Sequence, residues 1–442
     1  MTKKQSIKRP DTIKSLCECI WWLEEQYDLF NLEIDGVKVW QSARMQIYYH
    51  IAEKLEILSK PQAAMSRMQK WKVLTGYLKN ALMHHPFGTS SVDCMVFPHP
   101  RTKRVDGREI DIYTDDIVKQ LLNEQKSVIE IETPYKGKHQ RESRAQTYYE
   151  DLLILMRQFA RFVPLSNVPY KTISHINEVL KEKYDIRIDL LHILSMEAKR
   201  FKIEYRYYKK LFQTINPKTI YLTVSYGKSA LICAAKEAGI LTIEMQHGTY
   251  SRYHLGYSFP IGKSSLSYFP DRFYVWSDFW RNLIDLPLSK EYVLDHDFAY
   301  MEKEKKKLSK IRKEDDQVLV LSQGAIGEKI ARILLKNIDT FQGYRIKYKL
   351  HPGEYESWHN YPALKALLAY ENIELIKECD LYTLMAQSRY QIGVFSTAIY
   401  EGLSFECITI LLDLPGIEYM EDLLKKNIAM QYREGCSLES YR

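Results

Sequence analysis

Apolar residues recur every three or four positions through DTIKSLCECIWWLEEQYDLF and VWQSARMQIYYHIAEKLEIL. Residues 11–85 therefore read as helices, with a turn at Ile34-Asp35-Gly36-Val37. At Val92 the pattern changes: VDCMVFPHP is a short strand stopped by prolines, DIVKQLLNEQ a helix and SVIEIETP the next strand. DLLILMRQFARFV and SHINEVLKEKY supply further helices, and Ile188–Ile215 reads as a long helical connection rich in Tyr and Lys. TIYLTVSYG, KSALICAAKEAG and LTIEM then repeat the strand-helix-strand order, and RFYVWSDFW is another strand-like piece. Between these last two lies the polar, aromatic segment SRYHLGYSFPIGKSSLSYFP, whose length and position predict a substrate lid. MEKEKKKLSKIRKEDD has little to bury and is expected to be a solvated helix or linker. Beyond it the rhythm restarts with QVLVLSQ, YRIKYKL, QIGVF and ITILLDL as strands. The predicted organisation is α/β, with a helical subdomain over 1–90 and two parallel-sheet domains over 91–300 and 301–442.

Composition narrows this picture. A chain of 442 residues exceeds one ordinary core, and 45% apolar content suits a globular protein. Lys and Arg number 63 against 56 Asp and Glu, a net +7 that favours phosphates or an anionic membrane surface and is too small to argue for nucleic acid. Seven scattered cysteines without CxxC spacing predict reduced thiols. No apolar stretch has the form of a signal peptide or a bilayer span, so a cytoplasmic protein, at most peripheral on a membrane, is expected. Trp21, Trp22, Trp40, Tyr48 and Tyr49 are expected to pack a helical core rather than face lipid.

The candidate chemistry sits at strand ends, where ligands bind in open parallel sheets. LTIEM delivers Gln246-His247-Gly248-Thr249, and the strand before the prolines delivers His99 and Arg101. In the last third, one strand ends in Ser322-Gln323, a second in Lys349-Leu350-His351-Pro352-Gly353 and a third in Ser396-Thr397, with Glu401 one turn later on the same helix face. Ser or Thr at a helix start, with the free N–H groups behind it, suits an anion. A histidine can strip a proton from a hydroxyl near neutral pH. Gly227-Lys228-Ser229 ends like a phosphate-binding loop, but Leu222 stands where that motif needs its first glycine. Asp295-His296-Asp297 has the spelling of a metal site without a clear strand before it, so no metal is expected.

The order QHGT, then KLHPG, then VFSTAIYEGLSF leading to ILLDLPG resembles GT-B-fold glycosyltransferases of bacterial capsule, lipopolysaccharide and teichoic acid synthesis. It is similar in plan to CDP-glycerol glycerophosphotransferases and to sialyl- and Kdo-type transferases that use CMP-sugars. DGVKVWQSARMQIYYHI and FYVWSDFWRNL also resemble segments of capsular polysaccharide biosynthesis proteins, so the likeness covers roughly 30–425. The resemblance implies two Rossmann-like domains facing across a cleft, the N-terminal one for the acceptor and the C-terminal one for a nucleotide-sugar donor. It implies donor-phosphate binding by His351, Ser396 and Thr397, with Glu401 near the ribose, and strand-end position adds Ser322, Gln323, Lys349 and Pro352 to the donor-side candidates. His247 would be the base, with Gln246, Gly248, Thr249, His99 and Arg101 on the acceptor side. The donor is a substrate, so no cofactor is implied, and the acceptor would be a growing cell-surface saccharide or a lipid-linked one met at the inner membrane. The tryptophan those glycerophosphotransferases carry before the histidine is missing from EMQHGTYSRY, which favours a sugar donor over glycerol or ribitol phosphate. A nucleotide-sugar epimerase and a non-catalytic assembly subunit are the other readings.

Overall fold

The computed structural model describes residues 9–58, 67–260, 266–324 and 326–441. The first sheet is built from β1 (Cys94–Phe97), β2 (Val128–Glu132), β3 (Gln146–Tyr149), β4 (Thr219–Leu222), β5 (Leu241–Met245), β6 (Arg272–Val275) and β7 (Val293–Asp295). Its spatial order is β7-β6-β5-β4-β1-β2-β3, with every pair parallel. The second sheet holds β8 (Glu314–Leu321), β9 (Arg345–Lys349), β10 (Ile373–Ile376), β11 (Ser388–Gly393), β12 (Ile408–Leu411) and β13 (Met430–Gln431). Its order is β10-β9-β8-β11-β12-β13, again parallel throughout. Each sheet thus reverses its winding direction once, between β1 and β4 in the first and between β8 and β11 in the second. Those are the points where helices diverge and leave a crevice at the strand C-termini.

The strands β1, β5, β8 and β11 are buried on both faces over most of their length, which is why they read as apolar runs, whereas β6 and β9, one place in from the sheet edges, alternate. In β8, Val318 and Val320 enter one core while Leu319 and Leu321 enter another. The second of these also holds Phe273, Val275 and Trp280 of the first domain, so apolar packing joins the two halves beside the cleft. The edge strands β3, β7 and β10 escape the sequence pattern because they are three or four residues long and only partly buried. With β7 present, a strand does precede Asp295-His296-Asp297, contrary to expectation, and the Asp295 carboxylate is taken by Arg281 at 2.8 Å.

The helices Ile13–Gln26 and Val39–Lys54 share one core with β1, β2 and the long helix Leu190–Ile215. Thr12 starts the first of them with a reciprocal cap, its hydroxyl accepting from Ser15 N–H at 3.1 Å while its own N–H donates to the Ser15 hydroxyl at 3.0 Å. Trp40 and Tyr48 are buried there as expected, whereas Tyr49 is half exposed. The charged segment after residue 300 forms the helix Ala299–Leu308, tied to the first domain by Lys303 and Lys307 on Asp106 at 3.0 and 3.6 Å.

The lid expected after β5 is not one in its described parts, residues 251–260 and 266–270. Tyr253, Leu255, Tyr257 and Phe269 are each buried in the core. Arg44, itself buried, donates to the carbonyls of Leu255 and Ser258, the latter at 2.8 Å, and lies 4.5 Å from the Phe259 ring centroid. Its other nitrogens pair with Glu24 at 2.6 and 2.9 Å, and Trp40 Nε1 donates to the same carboxylate at 2.8 Å. Replacing one member of a buried pair strands the other charge, typically at roughly 3–5 kcal/mol. Arg44→Met is therefore expected to lower unfolding free energy by about that amount, and Glu24→Gln/Arg44→Met by less, as read from denaturant titration.

Candidate active site

Both switch points open on one cavity of about 940 Å³. The first sheet contributes His99 and Arg101 after β1, Thr223 and Lys228 after β4, and His247 to Ser251 after β5. The second contributes Gln323 after β8 and Phe395, Ser396 and Thr397 after β11. The two sides meet closely at Gly248, where an added Cβ would sit 3.6 Å from Thr397 Oγ1. Four cationic side chains, Arg101, Lys103, Arg157 and Lys228, line the cavity against one carboxylate, Glu150. Such a surplus selects anionic ligands.

His247 stacks on His99 with ring centroids 5.5 Å apart, and its Nδ1 lies 3.4 Å from the Tyr257 hydroxyl. Burial, with the charges of His99, His254 and Arg101 added, holds its pKa well below 6.5, so the imidazole is neutral at pH 7. Gln246 is spent on structure rather than on a ligand: its side chain accepts from Trp276 N–H at 2.9 Å and donates to the Gly248 carbonyl at 3.0 Å. It sets the turn that presents His247. Thr249 lines the cavity beside it.

On the facing side, Ser396 is the N-cap of the helix Thr397–Ser404, yet makes no capping bond, and its buried Oγ has no partner. The free N–H groups of that helix start are thus left for a ligand. Gln323 donates to the Phe395 carbonyl, leaving its Oε1 without a partner. His351 and Pro352 are exposed and do not line the cavity; His351 stands beside the Gln323-Gly324 turn, and its Nδ1 accepts from Gly353 N–H at 3.1 Å. The neutral ring consequently carries its proton on Nε2 as a donor. Partial desolvation depresses its pKa although the residue is exposed, assisted by Arg101 from across the cleft and by Lys349. Pro352 starts the short turn Pro352–Glu354 that fixes this ring, and Glu354 accepts from His351 N–H at 2.8 Å and from the Ser322 hydroxyl at 2.9 Å.

Not every candidate reaches the cavity. Ser322 is buried beneath it on Glu354. Lys349 donates to the carbonyls of Leu350 and Lys377 at 2.7 and 2.8 Å, tying β9 to β10. Glu401 accepts from the Tyr382 hydroxyl at 2.8 Å and lines a separate pocket of about 230 Å³ with Trp276 and Trp280. Conversely, Lys228 lines the cavity although its motif was set aside, because the turn after β4 brings it there. That turn holds Val224 at φ 57°, an unfavourable region for a β-branched residue. A strained residue of this kind needs support from its surroundings, and the next N–H, of Ser225, is held by Glu244 at 3.1 Å. Nothing in the local sequence marks Glu244 or Tyr257 as neighbours of His247.

No protein-family model matches the sequence, and no curated protein sequence matches it. Among solved structures, the UDP-GlcNAc 2-epimerase of Methanocaldococcus jannaschii has 8% identity and a TM-score of 0.45, covering 78% of this chain and 89% of that one. The UDP-GlcNAc 2-epimerase of Neisseria meningitidis, bound to UDP-GlcNAc, has 13% identity and a TM-score of 0.44 over 77% and 86%. The spinosyn rhamnosyltransferase SpnG has 10% identity and a TM-score of 0.42 over 79% and 88%. Likeness at this level carries no functional argument. The architecture stands on the two sheets and the chemistry on the cavity.

The cleft histidines make stability sensitive to acid. Burial pushes His99, helped by Arg101, and His254 down to about 4, whereas an unfolded histidine titrates near 6.5. Between these values the unfolded chain binds protons that these two folded histidines do not, so the stability they contribute is full above pH 6.5 and is lost as pH drops toward 4. Relative to the wild type, the denaturation midpoint of His99→Gln should therefore rise as pH is lowered from 7 to 4.5.

Proposed function

We propose that this protein is a glycosyltransferase that moves a sugar from a nucleotide-activated donor to a hydroxyl of a cell-surface polysaccharide or lipid-linked saccharide. The observation that carries this reading is the apposition of a neutral histidine, His247, to an unfilled helix N-terminus at Ser396-Thr397 within one cationic cavity. In the proposed step the acceptor oxygen forms a bond to the anomeric carbon and gives its proton to His247. The bond from that carbon to the phosphate oxygen breaks, and its electron pair leaves with the nucleotide. The helix start, His351 Nε2–H and Arg101 offer stabilisation for the departing charge. Attack from the side opposite the phosphate makes the reaction inverting.

An epimerase requires further acid and base groups around the sugar. Glu150 is the one carboxylate among the described lining residues, and Thr133, Tyr208 and Lys228 already engage it. Conversion of a UDP-sugar with no acceptor present would favour that reading.

Thermal shift against CMP, CDP, UDP, GDP and their sugar conjugates tests the donor site. One nucleotide is expected to raise the melting temperature by a few degrees through mass action, His351→Ala to abolish the shift and His247→Ala to keep it. Once the acceptor is known, His247→Ala should lose roughly 10²–10⁴-fold in turnover. No shift with any nucleotide would leave the non-catalytic reading.

Among the described residues no helix is long and apolar enough to cross a membrane. Support for peripheral contact with a lipid-linked acceptor comes instead from the helix Arg67–Met83, where Trp71, Leu74, Leu78 and Leu82 are exposed on one face beside Lys72 and Lys79. The basic N-terminal segment Met1–Pro10 is a second expected contact, and its residues 1–8 lie outside the described residues. The protein should sediment with phosphatidylglycerol vesicles and not with phosphatidylcholine vesicles, and Trp71→Ser/Leu82→Ser should stay in the supernatant. Absence of sedimentation with either lipid would remove the membrane contact.

A further inference from the structure

Glu244 is fully buried in β5, and no ion pair engages it among the described residues. A carboxylate in that position is costly unless donors satisfy it. Its Oε1 accepts from Ser225 N–H at 3.1 Å and from the Tyr257 hydroxyl at 2.6 Å. The Tyr257 oxygen also lies 3.4 Å from His247 Nδ1. A phenol has one proton. At 2.6 Å from a carboxylate oxygen that proton belongs to the bond with Glu244, so toward the histidine Tyr257 can only accept. For the 3.4 Å contact to be a hydrogen bond, His247 carries its own proton on Nδ1, and the lone pair is left on Nε2.

The neighbouring histidines do not compete for this contact. His99 Nδ1 accepts from Arg101 N–H and His254 Nδ1 from Gly256 N–H, both at 3.2 Å. Tyr257 is held in place by packing against Tyr250 and Phe273 and by the Arg44 bonds to Leu255 and Ser258 on either side of it.

We propose that Glu244 and Tyr257 are positioning residues that set His247 in the Nδ1–H tautomer and carry its proton away during transfer. The step rests on His247 being the base, as proposed above. As the acceptor hydroxyl gives its proton to Nε2, the Nδ1 proton passes to the Tyr257 oxygen and the Tyr257 proton to the Glu244 carboxylate. The net change is one proton moved from acceptor to Glu244, with the imidazole neutral before and after. The acceptor oxygen keeps the electron pair that forms the new C–O bond, and the nucleotide leaves with the pair of the bond that breaks. Burial, only partly offset by Ser225 and Tyr257, brings Glu244 up to about 7, which makes it a better proton sink than the imidazole.

The test is long-range ¹H–¹⁵N NMR of histidine-labelled protein at pH 7.5, with the His247 signals identified by their loss in His247→Gln. Wild-type protein should show a neutral His247 protonated on Nδ1, and Tyr257→Phe should move the proton wholly or partly to Nε2. The Nε2–H form in wild type, or a spectrum unmoved by Tyr257→Phe, would overturn the proposal. The wild-type spectrum decides the tautomer even where Tyr257→Phe fails to fold. Glu244→Gln can accept the same two bonds and should keep the Nδ1–H tautomer while lowering kcat at least roughly tenfold with KM unchanged. An unchanged kcat would overturn the proton transfer. These spectra need no substrate, so an Nδ1–H signal in a protein that binds no nucleotide would sink the transferase reading and leave the hydrogen-bond chain standing.

Discussion

The buried guanidinium of Arg44 is the interaction on which the first domain's side of the cleft depends. A cation removed from water must have its donors met, and Glu24 and the carbonyls of Leu255 and Ser258 meet them. Meeting them joins an N-terminal helix to the segment after β5. This anchor acts beside the hydrogen bonds of Tyr250 to the Trp280 carbonyl, Tyr253 to Glu421 and Tyr257 to Glu244 in fixing the path of that segment. With it, Tyr257 is delivered beneath His247 in a defined orientation, and a loop that looks mobile by length and polarity is instead part of the scaffold.

The cleft itself follows from two sheets that wind the same way and place their switch points face to face. Each switch point leaves backbone donors and side chains unopposed, because helices diverge there. On the first domain these are filled mainly by histidines and cations, and on the second by a helix N-terminus with an unpartnered serine hydroxyl. The division suits a reaction in which a hydroxyl is deprotonated on one side while phosphate charge is received on the other. The close approach of Gly248 to Thr397 brings the two sides of the cavity together.

Burial has opposite effects on the two kinds of group in this site. It keeps the histidines neutral, as bases must be, and it raises Glu244 toward neutrality. The same physics takes Lys349 and Glu401 out of the cavity: each finds partners in its own domain, carbonyls for the ammonium and Tyr382 for the carboxylate, so neither is left to face a ligand.

What the sequence determined by itself is the set of local structures that carry their own signal. Strands buried on both faces are apolar runs, so β1, β5, β8 and β11 were legible, and with them the positions of His247 and Ser396-Thr397 at strand ends; His351 follows β9, whose burial alternates and which Pro352 marks instead. The helical segment around Trp40 and Tyr48 was legible from its period. Tertiary structure decided everything that depends on a partner distant in the chain. β3, β7 and β10 are short edges defined by their neighbours rather than by composition. Glu244 points into the sheet core, where nothing in LTIEM shows which donors will answer it, and Tyr257 reaches it only because Arg44, some two hundred residues earlier, pins the loop between. Hydrogen bonds and desolvation act through space, so which polar group stays free for a ligand was settled only when the chain folded.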